Sequence, residues 1–288
     1  MKCQKTDCML SLLFVCTSLV LLFPALSHAQ NKDSYLLQYK FKKGEQLQYK
    51  TERCDSTQTS SETQTAPQQV MRWSLQTLSV LETPTETTYK VSIKTDSVWT
   101  DQDQAGTSAE SESGRRMVFR QRGPEGPGER GRSQEFEIGT DGQSVTDDPV
   151  TSPFLLTLPK NPVAVNDTWE FEKNIQRTGR MKGTTRITGQ CLLYNIQKQS
   201  SPPLALIIVN TQSTGQSEFK FKRPDQNVEI SGATQSKGSG TSLVYFDVDL
   251  GRITEIVSED KTESMSESSR GSYASSSSSK STVKLVSK

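Results

Sequence analysis

Apolar and aromatic residues in this chain recur at every second position rather than every third or fourth, and that spacing commits it to extended strands. Tyr35, Leu37, Tyr39 and Phe41 share one face of a segment, Lys42-Lys43-Gly44-Glu45 turns it, and Leu47, Tyr49 and Thr51 resume the alternation. A hairpin is the natural reading of that stretch. The same spacing marks Met71-Trp73-Leu75, Tyr89-Val91-Ile93, Phe136-Ile138, Trp169-Phe171, Leu204 to Val209, Phe219-Phe221, and Leu243 to Val248. The last of these continues through Asp249-Leu250-Gly251-Arg252 into Ile253 to Val257. No stretch of helical period exceeds a turn or two. The fold class that follows is all-β, made of antiparallel meander sheets in one or two similar half-barrel or sandwich-like subdomains.

Before the first strand lies a different kind of segment. Lys2 and Lys5 precede an apolar run from Met9 to Phe23, followed by Pro24 and the small-x-small site Ser27-His28-Ala29. This is the pattern of a secretory signal peptide cut after Ala29, and its apolar run is shorter than the ~20 residues a membrane span needs. A lipid anchor fits less well, because Val15 precedes Cys16 where a small residue is wanted. Removing 29 of the 288 residues takes Lys2, Lys5 and Asp7 with them, leaving 32 basic and 32 acidic side chains. A charge-balanced chain gives no reason to expect a nucleic-acid or membrane-surface partner.

The same cut removes His28, Cys3, Cys8 and Cys16, so the mature chain keeps no histidine and two cysteines, Cys54 and Cys191. That argues against Ser-His-Asp and Cys-His catalysis, histidine metal ligation and imidazole proton shuttling. No cofactor, metal or catalytic residue is expected. Two thiolates cannot close a zinc site, and in an exported chain Cys54 and Cys191 are candidates for a disulfide, whose long loop would contribute up to about 5 kcal/mol. Whether they lie close enough is a matter for the structure.

Apolar content falls from 32 % to about 29 % in the mature chain, with Ser, Thr and Gln in its place. Residues 55–69 and 100–133 are low-complexity and read as long loops or disordered insertions. Residues 258–281 are serine-heavy, yet Tyr273 and Val283-Lys284-Leu285-Val286 allow a polar edge hairpin turned at Ser269-Arg270-Gly271. The expected organisation is a signal peptide at 1–29, an N-terminal β-subdomain at 30–148, a connecting segment at 149–162 and a C-terminal β-subdomain at 163–288.

An internal duplication supports those halves. Gly44-Glu45-Gln46-Leu47-Gln48-Tyr49-Lys50 matches Asn166-Asp167-Thr168-Trp169-Glu170-Phe171-Glu172 as turn residue, acid, polar, large apolar, polar, aromatic, charged. Downstream, Phe136-Glu137-Ile138 through Gly142 to Val145-Thr146 parallels Phe246-Asp247-Val248 through Gly251 to Ile253-Thr254. Generic hairpin chemistry is the competing explanation.

Three blocks carry a resemblance: Tyr39 to Glu45; Leu158-Pro159 with Pro162 to Phe171; and Val244 to Ile253. They resemble an uncharacterised family of exported bacterial β-rich proteins. No catalytic motif comes with the resemblance. Where that family has Gly before the acid of the central block, this chain has Asn166, which also tolerates positive φ.

The remaining motifs are weak. Gly126-Pro127-Gly128-Glu129-Arg130-Gly131 has the glycine spacing of a dinucleotide loop but lies in a charged linker with no strand or helix to place it. Asp101 to Gly106 with Glu112 nearly spells a calcium loop, but Ala105 removes a ligand and helical flanks are lacking. Asp247 and Asp249 would share one strand face, the geometry a carboxylate-dependent hydrolase could use; a solvated strand face is the alternative. Asp147 and Asp148 read as loop acids. Asn166-Asp167-Thr168 is a glycosylation sequon only in a eukaryotic secretory route, and otherwise a turn. Trp73, Trp99 and Trp169 could line a ligand groove or anchor strand centres.

The function expected is that of an exported non-enzymatic protein, an envelope or periplasmic binding or scaffold protein whose partner is another envelope protein or an apolar ligand. A carrier holding a lipid-like ligand on a concave sheet is the first alternative. A carboxylate-dependent hydrolase is the second.

Overall fold

The computed structural model describes residues 33–60, 68–103, 133–145, 152, 154–177, 181–222, 229–268 and 271–287. The signal segment, the glycine-rich string at 126–131 and most of the calcium-like loop fall outside them. Among the described residues there are twelve strands: β1 (Ser34–Tyr35), β2 (Gln46–Ser60), β3 (Gln68–Thr85), β4 (Thr88–Asp103), β5 (Ser133–Gly139), β6 (Val163–Ala164), β7 (Thr168–Arg177), β8 (Met181–Gln197), β9 (Leu204–Lys222), β10 (Glu229–Asp247), β11 (Arg252–Ser268) and β12 (Gly271–Ser287). There is no helix among the described residues, so the fold is all-β and antiparallel as its period predicts.

Ten of these strands make one sheet in the order β5-β4-β3-β2-β12-β11-β10-β9-β8-β7, and β1 pairs with β6 beside it. The halves seen in the sequence are therefore not separate subdomains. The last strand, β12, pairs with β11 on one side and β2 on the other, so the serine-rich segment sits in the middle of the sheet rather than at an edge. Residues 34–288 form one compact unit.

Strands of 15 to 19 residues run far beyond the apolar patches that announce them, about 50–60 Å at ~3.3 Å per residue. The core occupies only the end of the sheet that carries the β3–β4, β8–β9 and β10–β11 turns. There Leu47, Leu78, Val91, Ile138, Leu193, Ile207, Val244, Ile253 and Val283 are buried in one cluster. Toward the far end the same face continues in small residues: Thr211, Ser213 and Gly215 on β9, Ser236 and Gly238 on β10, and Ser275 and Ser277 on β12. Hydroxyl pairs bridge neighbouring strands along it, Ser242 to Ser258 at 2.8 Å, Thr234 to Ser266 at 2.7 Å and Ser264 to Ser275 at 2.7 Å. The low-complexity segments are partly strand for the same reason: residues 55–60 and 68–69 belong to β2 and β3, and 100–103 to β4. Short hydroxyl side chains pack well enough on a pleat once both strand neighbours are supplied.

The predicted hairpin of residues 35–51 does not form. Past Tyr35 the first segment leaves the sheet and lies across its core face, where Tyr39 N donates to Thr140 O at 2.8 Å and Lys40 N to Gly251 O at 3.2 Å. Leu37, Tyr39 and Phe41 remain buried on alternate positions. Residues 154–158 of the connecting segment join them, with Phe154, Leu155 and Leu158 buried. The Tyr39 hydroxyl donates to Leu156 O at 3.2 Å and accepts from Leu156 N at 2.8 Å. Phe154 stacks on Tyr49 with centroids 4.4 Å apart. Tyr39 meets Phe246 edge-on, as Phe41 meets Tyr89. Two chain segments thus plug the concave apolar side of the sheet.

The backbone repeats the sequence duplication. Gly44 and Asn166 both have positive φ, +80° and +74° respectively. Gly44 N donates to Val80 O, and Val80 N to Glu45 O; Asn166 N donates to Leu193 O, and Leu193 N to Asp167 O. The acid of each turn closes it, Glu45 accepting from Lys42 N at 3.0 Å and Asp167 from Ala164 N at 2.7 Å. Glu45 also meets Arg252 at 2.9 Å, a largely buried ion pair between the starts of β2 and β11.

Candidate functional site

The opposite, outer face carries the long polar side chains. At the core end it holds register-fixing ion pairs, Glu255 to Lys284 at 3.1 Å and Glu259 to Lys280 at 2.7 Å, each between directly opposed residues of β11 and β12. At the far end it curls into a cleft of about 1110 Å³. Gln58 and Ser60, Thr184 and Arg186, Thr214 and Gln216, Gln235 and Lys237, Glu263 and Met265, and Ala274 and Ser276 line it. Most lining positions have the parity opposite to the core residues, while Ile175, Gly215, Ser236, Ser264 and Ser275, of the core parity, line it as well. β7 adds Asn174 and Gln176.

The strand register orders them into two rows running across the sheet. Gln176, Thr184, Gln216, Gln235, Met265, Ala274 and Ser60 are successive cross-strand partners from β7 to β2. Asn174, Arg186, Thr214, Lys237, Glu263, Ser276 and Gln58 form the second row. The ends of a row are six strand spacings apart, about 29 Å in a flat sheet, so a cleft that includes both requires the sheet to curl here.

Electrostatically the cleft is mild. Arg186 is held by Glu172 at 2.7 Å, and Glu172 also accepts from Asn174 at 3.2 Å. That contact holds the Glu172 carboxyl below the usual carboxylate range. Lys237 stands directly opposite Glu263. What remains is a surface of amides and hydroxyls, each able to donate and to accept. Nothing in it offers an activated nucleophile or a proton relay, and no cluster of three metal-ligating side chains occurs among the described residues.

The residues singled out by sequence lie elsewhere. Cys54 and Cys191 are both free. They sit five strand spacings apart, Cys191 on the core face and Cys54 on the outer face, so the expected disulfide is not made. Burial pushes the Cys191 thiol up to about 12. Beside it on the edge strand, desolvation lowers the Lys173 ammonium; an inward-pointing lysine is a common guard on an open sheet edge. Trp73 and Trp99 are cross-strand partners on the outer face of β3 and β4, and Trp99 is exposed. Trp169 packs against the core and donates from Nε1 to Thr157 O at 2.9 Å. None of the three lines the cleft.

Asp247 is buried and accepts from Leu250 N at 2.8 Å, capping the β10–β11 turn, whereas Asp249 is exposed. Neither acid lines the cleft. At the core end the concave apolar side is filled by Leu37, Tyr39, Phe41, Phe154 and Leu158, so an apolar ligand would have to sit elsewhere. Sequence reasoning missed the cleft because its residues fall on the polar phase of the alternation, and only the register aligns them.

No family model and no curated protein matches the chain. Among solved structures, it is similar to the crystal structure of Pseudomonas aeruginosa OccK2 (OpdF), at 7 % identity and TM-score 0.27, over 84 % of this chain and 98 % of that one. It is also similar to Acinetobacter baumannii OccAB2, at 9 % identity and TM-score 0.21, over 83 % and 97 %. Likeness at this level carries no functional argument.

Proposed function

We propose that this chain is an exported, non-enzymatic binding protein of the bacterial envelope that holds a polar, extended ligand in the outer-face cleft. The observation that carries this reading is the two cross-strand rows, nine of whose fourteen side chains are amides or hydroxyls, gathered by seven strands into one cleft of about 1110 Å³. That volume is of the size that small-molecule and oligomer sites occupy. The export pattern at residues 1–29 and the three-block resemblance support the location. The filled core face leaves an apolar ligand no room there, and the absence of histidine beyond residue 28, with the scattered placement of acids, supports a role without catalysis.

Native mass spectrometry of protein purified from the exported fraction tests this. A polar adduct is expected on the wild type and lost in a Gln216→Ala/Gln235→Ala variant of unchanged melting temperature. An adduct that is lipid, or that survives the double substitution, would contradict it.

A further inference from the structure

Away from the cleft, the small-residue face holds two like charges that the fold brings together and does not balance. We infer that Arg53 and Arg72 form an anion site for the carboxylate of a small ligand. They are direct cross-strand partners on β2 and β3. Each lies an even number of residues along its strand from a core side chain, Tyr49 and Leu78, so both guanidinium groups project from the same face. Like charges in directly opposed positions weaken a strand pair, and an anion between them relieves the repulsion.

The chain itself supplies half of that anion charge. Asp55 accepts from Arg53 Nε at 2.6 Å and stands 3.8 Å from Arg72 Nε, an ion-pair distance too long for a hydrogen bond. Among the described residues it is the only carboxylate in ion-pair contact with either arginine. Asp260, two strands away on the same face, is not in contact with them. Both arginines are half-exposed, so their remaining N–H groups are open to a ligand. A third donor lies beside them. Ser279 stands directly opposite Asp55 on β12, is buried, and its hydroxyl has no hydrogen-bond partner. Buried polar groups in that state are few in a native structure and call for an explanation. Here every unmet group can donate, and what is missing is an acceptor.

The charge sum selects its class. In direct contact two guanidinium charges face one carboxylate, and the single positive charge left over is balanced by a second carboxylate and exceeded by a phosphate dianion. The planar fork of arginine matches the two oxygens of a carboxylate. None of these residues lines the cleft, so this site stands independently of the ligand proposed there.

NMR observation of the arginine Nε–H groups in the isotopically labelled exported chain, titrated with sodium acetate, sodium phosphate or sodium chloride at equal sodium concentration, tests the inference. The Arg53 and Arg72 signals are expected to shift together and saturably with acetate, at concentrations at least fivefold lower than with phosphate or chloride. Arg53→Lys and Arg72→Lys keep the charge but not the fork, and each should weaken acetate at least fivefold, read from the arginine that remains. Lys50→Gln, on the outer face of the same strand, should bind as the wild type does. Equal responses to acetate and chloride would reduce the effect to screening and overturn the site, as would acetate affinity unchanged in both lysine variants. Tighter binding of phosphate would overturn the carboxylate while leaving an anion site.

Discussion

Two polar residues, one buried and one half-buried, show how narrowly the ends of this sheet differ. The Tyr39 hydroxyl joins the two plugging segments, serving both the N–H and the C=O of Leu156. Tyr39→Phe removes no volume but orphans that peptide unit, and urea unfolding should show a loss of about 1–3 kcal/mol; an unchanged midpoint would mean that the backbone groups find other partners. Asp260, by contrast, stands on the small-residue face between Gly240 and Ser279. Desolvation raises its carboxyl above the ordinary range, against the pull of Arg53. A carboxyl raised on folding stabilises only while protonated, so its contribution is present below the ordinary carboxylate range and lost as pH climbs through the folded value. Asp260→Asn keeps the shape and never ionises. Its melting temperature should exceed the wild type's at about pH 7 and match it at about pH 3. Equal shifts at both would assign the effect to packing.

Among the elements, the two duplicated turns are the part of the fold most plainly written in the sequence. Gly44-Glu45 and Asn166-Asp167 were paired by residue type alone, and the structure gives them the same positive φ and the same four hydrogen bonds. Asn166→Gly should leave thermal stability unchanged or raise it, whereas Asn166→Val should lower it, because a β-branched residue is strained at φ +74°. Equal melting temperatures for the two variants would show that the turn relaxes. Strand type was equally legible, since Leu47-Tyr49, Tyr89-Val91 and Val244-Phe246 alternate cleanly. Strand length was not. Thr57, Ser277 and Gly238 have no apolar period to read, and they form strands only because neighbours on both sides complete their hydrogen bonds. The hairpin of residues 35–51 failed for the complementary reason. Tyr39 and Phe41 alternate as a strand does, but the force they report is burial, and it is satisfied by filling the sheet's concave side.

At the scale of the whole molecule, the pairing of β12 with β2 decides the architecture. It joins the two duplicated halves into one sheet, and a sequence with weak local patterning at residues 271–281 gives no sign of which strand those serines will meet. Register there is set by Val283 in the core and by the Glu255–Lys284 and Glu259–Lys280 pairs on the outer face. The candidate site depends on that pairing, because β12 and β2 supply one wall of the cleft. Its residues were present in the sequence as the polar phase of each strand, indistinguishable there from any solvated face. The molecule thus divides by end, an apolar core filled by its own chain at one and a polar cleft at the other. Hydroxyl-radical footprinting tests that division most directly, because Met265 lies in the cleft while Met71 and Met181, also on exposed strand positions, lie outside it. In protein carrying the ligand acquired in the exported fraction, Met265 should oxidise more slowly than in protein freed of it by unfolding and refolding, with Met71 and Met181 unchanged. Equal rates at Met265 in both preparations, or protection falling instead on residues 35–41 and 154–158, would contradict the account.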